Sequence, residues 1–95
     1  KMKRRNDMDV CADILRTVKE KGGAKKTHLV YGANLNFKMV NRYMKRLLIA
    51  GLVVHEAGHG SRDRGLYNIT EEGETYLKRY MDATDMLGPM VEVSA

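Results

Sequence analysis

The sequence predicts an α+β fold that is mostly helical: a three-helix core, a two- to three-stranded sheet ending in a small β-hairpin, and an extra C-terminal helix. Three observations predict it. Residues 36–54 pass from an amphipathic helical stretch into the β-branched run Leu52-Val53-Val54. Two short apolar segments then flank the glycine-rich stretch 57–65, the pattern of a hairpin. Thr70 follows, with Glu71, Glu72 and Glu74 behind it, the signature of a capped helix start. This organisation divides the chain into a basic arm (1–6), a folded domain (7–70), a C-terminal helix (71–87) and a tail (88–95).

The first helix is expected from about Asp7 to Lys21. Cys11, Ile14, Leu15 and Val18 fall at i, i+3, i+4 and i+7, and Met8 extends the stripe one turn back. Asn6 or Asp7 can cap its start, and Gly22-Gly23 ends it. The lone Cys11 cannot form an internal disulfide and reads as a buried, inert thiol. Ala24-Lys25-Lys26 reads as a minimal edge strand. Thr27 is placed to cap a second helix from about His28 to Ala33, and Gly32 within it implies close packing or a short element.

The third helix carries the chemistry. Asn36 is its N-cap and Gly51 its stop. Val40, Tyr43, Met44, Leu47 and Leu48 form one apolar stripe. Lys38, Asn41, Arg42 and Lys45 form the opposite face, three cations around an amide. Such a helix suits a DNA major groove: arginine pairs with guanine, asparagine with adenine. Helix, helix, turn and basic helix make a helix-turn-helix. Ile49 falls on its exposed side with no evident partner.

Charge supports a polyanionic partner. Residues 1–65 carry fifteen Lys or Arg against six Asp or Glu, whereas residues 66–95 carry two against six. No acidic residue lies between Glu20 and Glu56, a gap holding Lys21, Lys25, Lys26, Lys38, Arg42, Lys45 and Arg46. Lys25, Lys26, Lys45, Arg46, Arg62 and Arg64 are expected to hold phosphates, with Asn36 and Lys38 at the positive end of the third helix. In the C-terminal helix Leu77, Tyr80, Met81 and Thr84 form a seam with no role in a three-helix core, so a second copy of the chain is the expected partner.

Val40-Asn41-Arg42-Tyr43-Met44-Lys45-Arg46-Leu47 with Ala50-Gly51-Leu52-Val53 resembles the recognition helix and first wing strand of winged-helix transcription factors. Tyr31-Gly32-Ala33-Asn34-Leu35 with Asn41-Arg42-Tyr43 is similar to small archaeal winged-helix DNA-binding proteins of about ten kilodaltons, over residues 10–82. That resemblance implies a homodimer on double-stranded DNA, acting as a regulator or a chromatin protein. It carries DNA contact to Lys38, Asn41, Arg42, Lys45, Arg62 and Arg64, and dimerisation to a C-terminal coiled coil. Two features depart from the family: Gly88-Pro89 cuts the last helix short, and the wing is longer and richer in glycine.

Other functions are weaker expectations. His55-Glu56-Ala57-Gly58-His59 matches the H-E-x-x-H of zinc proteases, but that motif needs a helix, and on a strand the two histidines stand about 13 Å apart. No catalytic triad or phosphate-binding glycine loop is present, so no enzyme activity, cofactor or metal is expected. Nor is a small-molecule site legible. No apolar run approaches the roughly 20 residues of a membrane span, and the basic start lacks the apolar core of a secretory signal. A cytoplasmic, nucleoid-associated protein is expected. RNA binding and protein–protein recognition are the rival roles. Aromatic support for RNA stacking is thin, because Tyr43 falls on the buried stripe.

Overall fold

A computed structural model of the chain describes residues 5–60 and 64–87. The elements run α1 (Asp7–Lys21), α2 (Lys26–Gly32), α3 (Phe37–Ile49), β1 (Val53–Glu56), β2 (Leu66–Ile69) and α4 (Glu71–Leu87). This is the expected α+β order.

Helix α1 is the centre of the molecule. Asn6 accepts from the N–H of Asp9, Asp9 accepts in return from the N–H of Asn6, and Gly22 closes the helix in the left-handed conformation. Val10, Ala12, Ile14, Leu15, Thr17 and Val18 are all buried, a broader face than one stripe, because α2 packs against one side and α4 and β2 against others. Cys11 is only half-buried, so its expected place inside the stripe goes to Val10. Burial still raises the pKa of the Cys11 thiol, which keeps it protonated. Met8 is exposed rather than part of the stripe.

Helix α2 starts earlier than its sequence suggests. Lys25, not Thr27, holds the N-cap position, and its N–H donates to Nδ1 of His28 at 3.1 Å. The reason is tertiary. Ala24 is pinned to Tyr67 by two backbone hydrogen bonds of 2.9 and 2.8 Å, which forces the chain to turn at once. This one-residue bridge is all that remains of the expected edge strand. Gly32 permits the close approach of α2 to α1: a Cβ there would stand 2.5 Å from the Cγ2 of Thr17. Beyond α2, Asn34 adopts a positive φ of 55°, and the Arg5 guanidinium donates to the carbonyls of Ala33 and Asn34 and to Asp13. Arg5 therefore closes the end of α2.

Val40, Tyr43, Met44 and Leu47 of α3 are buried as expected, whereas Leu48 is partly exposed and Ile49 is 80% exposed. Gly51, at φ 75°, turns the chain into the hairpin. The first strand begins at Val53 rather than Leu52, because the Leu52 N–H turns back to the carbonyl of Leu47, although its carbonyl still accepts from Thr70, the next position of the ladder. Strands β1 and β2 pair antiparallel in the register Val53↔Ile69, Val54↔Asn68, His55↔Tyr67, Glu56↔Leu66.

Thr70 caps α4, accepting from the N–H of Gly73 and donating to the carbonyl of Gly51. The C-terminal seam is corrected here. Leu77 is 4% exposed and belongs to the core. Tyr80 packs against that core, and its hydroxyl donates to Asp9. The Thr84 hydroxyl turns back to the carbonyl of Tyr80. Of the four seam residues only Met81 presents a substantial apolar surface outward, with Met86 and Leu87 beyond it. The helix thus has the core role that its sequence pattern did not reveal: its first turns cover α1 and β2. No helix among the described residues is long and apolar enough to cross a membrane.

Candidate nucleic-acid interface

The start of α2, the outer flank of α3 and the hairpin enclose an open groove of about 600 Å³. Lys25, Lys26 and Thr27 line one wall. Phe37 and Asn41 come from α3, and His55, Arg64, Gly65 and Tyr67 come from the hairpin. Four residues expected to meet DNA (Lys25, Lys26, Asn41 and Arg64) are thus brought together although they come from three elements. Among the described residues no carboxylate lines the groove, and its charged lining residues are Lys25, Lys26 and Arg64.

The base of the hairpin wall is tied by several contacts. The His55 and Tyr67 rings are cross-strand partners, stacked with centroids 4.5 Å apart. Nε2 of His55 donates to the carbonyl of Arg64 at 2.7 Å. A carbonyl can only accept, so the proton sits on Nε2. Gly65, at φ 82°, closes the loop so tightly that a Cβ would strike the carbonyl of Glu56. The Glu56 carboxylate is engaged by the amide of Asn68. Arg62 lies outside the described residues.

The remaining expected contacts fall into three groups. Lys38 and Lys45 are exposed on the outer face of α3. Asn36 is exposed, but its side-chain oxygen accepts from Met39 N–H at 2.8 Å, which leaves its NH₂ as the group fully open to a partner. Arg42 and Arg46 lean the other way, towards α1. Arg46 pairs with Asp7 at 3.1 Å, and Arg42 lies over the Tyr43 ring at 5.1 Å. The Tyr43 hydroxyl donates to Asp7 at 2.6 Å. That bond, and then Arg46, hold the Asp7 carboxyl below the usual carboxylate range, and the same bond raises the pKa of Tyr43.

The zinc-protease pattern is dispersed: His55 is on β1 and His59 is in the loop after it. Among the described residues no cluster of three or more His, Cys, Asp or Glu is placed to hold a metal. Sequence reasoning overlooked Tyr67 as a groove residue and counted Phe37 only among the aromatics that could stack on RNA bases. The available signal was the spacing of Phe37 and Asn41, one helical turn apart at i and i+4.

Three helices, a hairpin packed beside the third, and a basic groove between them define a winged helix with a cationic recognition face. A sequence profile of the winged helix-turn-helix family matches residues 4–88, and the chain belongs to that family. No curated protein matches it. Among solved structures, smu.1704 from Streptococcus mutans is similar with a TM-score of 0.78 and 17% identity, over 92% of this chain and 86% of that one. Sso10a-2, a DNA-binding protein from Sulfolobus solfataricus, is similar with a TM-score of 0.67 and 22% identity, over 95% and 100%. NMB1585, a MarR family regulator from Neisseria meningitidis, is similar with a TM-score of 0.65 and 22% identity over 81% of this chain. The aligned region spans 54% of that regulator's length. These likenesses establish the fold and agree with the resemblance read from residues 31–53.

Proposed function

We propose that this protein binds double-stranded DNA as a homodimeric transcriptional regulator. In this reading α3 enters the major groove, and the hairpin holds the backbone or the minor groove. The observation that carries it is the convergence of Lys25, Lys26, Asn41 and Arg64 on one groove beside α3. Asn41 faces a base edge, where a good bidentate pair is worth about 1–3 kcal/mol of discrimination, and Arg42 joins it only by leaving the Tyr43 ring. Lys25, Lys26, Lys38, Lys45 and Arg64 serve the phosphates. Arg46 contributes less, because its charge is already shared with Asp7.

If about five phosphates are neutralised per protomer, log K falls against log salt with a slope of roughly −4 to −5 per protomer. Fluorescence anisotropy across a salt series measures it, with single-stranded RNA as competitor. A flat salt dependence, or preference for the RNA, overturns the reading. Selection of bound duplexes from a random pool separates a regulator from a chromatin protein: a regulator yields a consensus, a chromatin protein none. Dimerisation is assigned to the outer part of α4, where Met81, Met86 and Leu87 are exposed, together with Met8.

A further inference from the structure

Phe37 is 51% exposed, yet it stands among the cations of the groove. The fold does not need it there. Leu35 and Val40, both buried, occupy the two positions of a hydrophobic staple across the start of α3. Asn36 already caps that start. Phe37 lies one turn before Asn41 on the same flank, with Cβ atoms about 5–6 Å apart at this spacing. Both line the groove with Lys25, Lys26 and Arg64.

A half-exposed phenyl ring in a basic groove suits a ligand that is anionic outside and apolar at one point inside. The major-groove edge of an A·T pair has that character. Adenine offers N6 and N7 to an asparagine amide, thymine adds a C5-methyl group, and phosphates flank both. We propose that Phe37 and Asn41 together read an A·T base pair, with Asn41 on the adenine and Phe37 covering the thymine methyl. Phe37 is then a specificity-determining residue. This proposal rests on the duplex-DNA reading above and adds the base that the groove selects.

The test isolates one methyl group. Binding is measured to an alternating dA·dT duplex and to the same duplex with deoxyuridine in place of thymidine. Covering one methyl corresponds to about a fourfold tighter complex with thymine per Phe37. Phe37→Ala should lose this fourfold preference, and Phe37→Leu should keep part of it. Any contribution of duplex shape persists in Phe37→Ala and is thereby subtracted. Circular dichroism checks the fold of each variant, and if Phe37→Ala unfolds, the graded loss in Phe37→Leu decides. Equal binding of the two duplexes by the parent, or an unchanged ratio in the variants, overturns this proposal alone when binding remains steeply salt-dependent. No binding to either duplex overturns the DNA reading as well.

Discussion

Asp7, at the first position of α1, holds two residues of α3: the hydroxyl of Tyr43 and the guanidinium of Arg46. It thereby fixes how the recognition helix lies on the core. Its folded pKa is depressed below that of a free aspartate, first by the Tyr43 hydrogen bond and then by Arg46. Its contribution to stability is therefore present above about pH 4 and is lost as pH falls through the depressed folded value. Asp7→Asn should lower the melting temperature at neutral pH and flatten its decline below about pH 4, as thermal unfolding across pH would show. Gly32 makes a second residue-scale prediction. Gly32→Ala gains about 1 kcal/mol of helix propensity but overpacks against Thr17 at a cost of about 1–3 kcal/mol. Thr17 is buried, and its hydroxyl is tied to the carbonyl of Asp13, so it has little room to give. Net destabilisation is expected in urea titration, and Thr17→Ser, which deletes the offending methyl, should relieve it.

At the scale of elements, α4 divides its work along its length. Leu77 is core, whereas Met81 is 46% exposed four residues later. Leu77→Ala should therefore cost about 2–5 kcal/mol of folding stability whatever the oligomeric state. Met81→Lys should leave folding nearly unchanged and, if the outer turns meet a second copy, shift the mass in light scattering from dimer to monomer. A parent that is monomeric at tens of micromolar overturns the dimer. The apolar spacing of Leu77, Tyr80, Met81 and Thr84 was legible, but its destination was not. A stripe records that a face is covered, not by what. The hairpin shows the same limit. Its strands were legible from alternation and glycine, but the bridge from Ala24 to Tyr67 joins residues distant in sequence that no local pattern connects.

At the scale of the whole molecule, charge and fold agree. The cation-rich portion of the chain, residues 1–65, supplies every lining residue of the groove except Tyr67. The acidic portion, from residue 66 onwards, supplies β2 and α4, with Lys19 and Glu74 paired across the join at 3.1 Å. Both members are about half exposed, so this pair stabilises by no more than about 1 kcal/mol, and its main effect is on local charge. The steep salt slope expected of DNA binding is therefore a property of the assembled face.

Legible in the residues alone were the order of the helices and hairpin strands, the bounds of α1, the caps Asn36 and Thr70, and the buried face of α3 apart from Leu48; the cap of α1 was narrowed to Asn6 or Asp7. Each depends on periodicity or on a hydrogen bond spanning three or four residues. Which exposed polar side chains share a surface depends on packing. Lys25, Asn41 and Arg64 meet because α2, α3 and the hairpin pack on one core, whereas Arg46 is drawn off by Asp7, thirty-nine positions away. Periodicity tells each helix which face to bury. It cannot tell two outward faces that they will border the same groove.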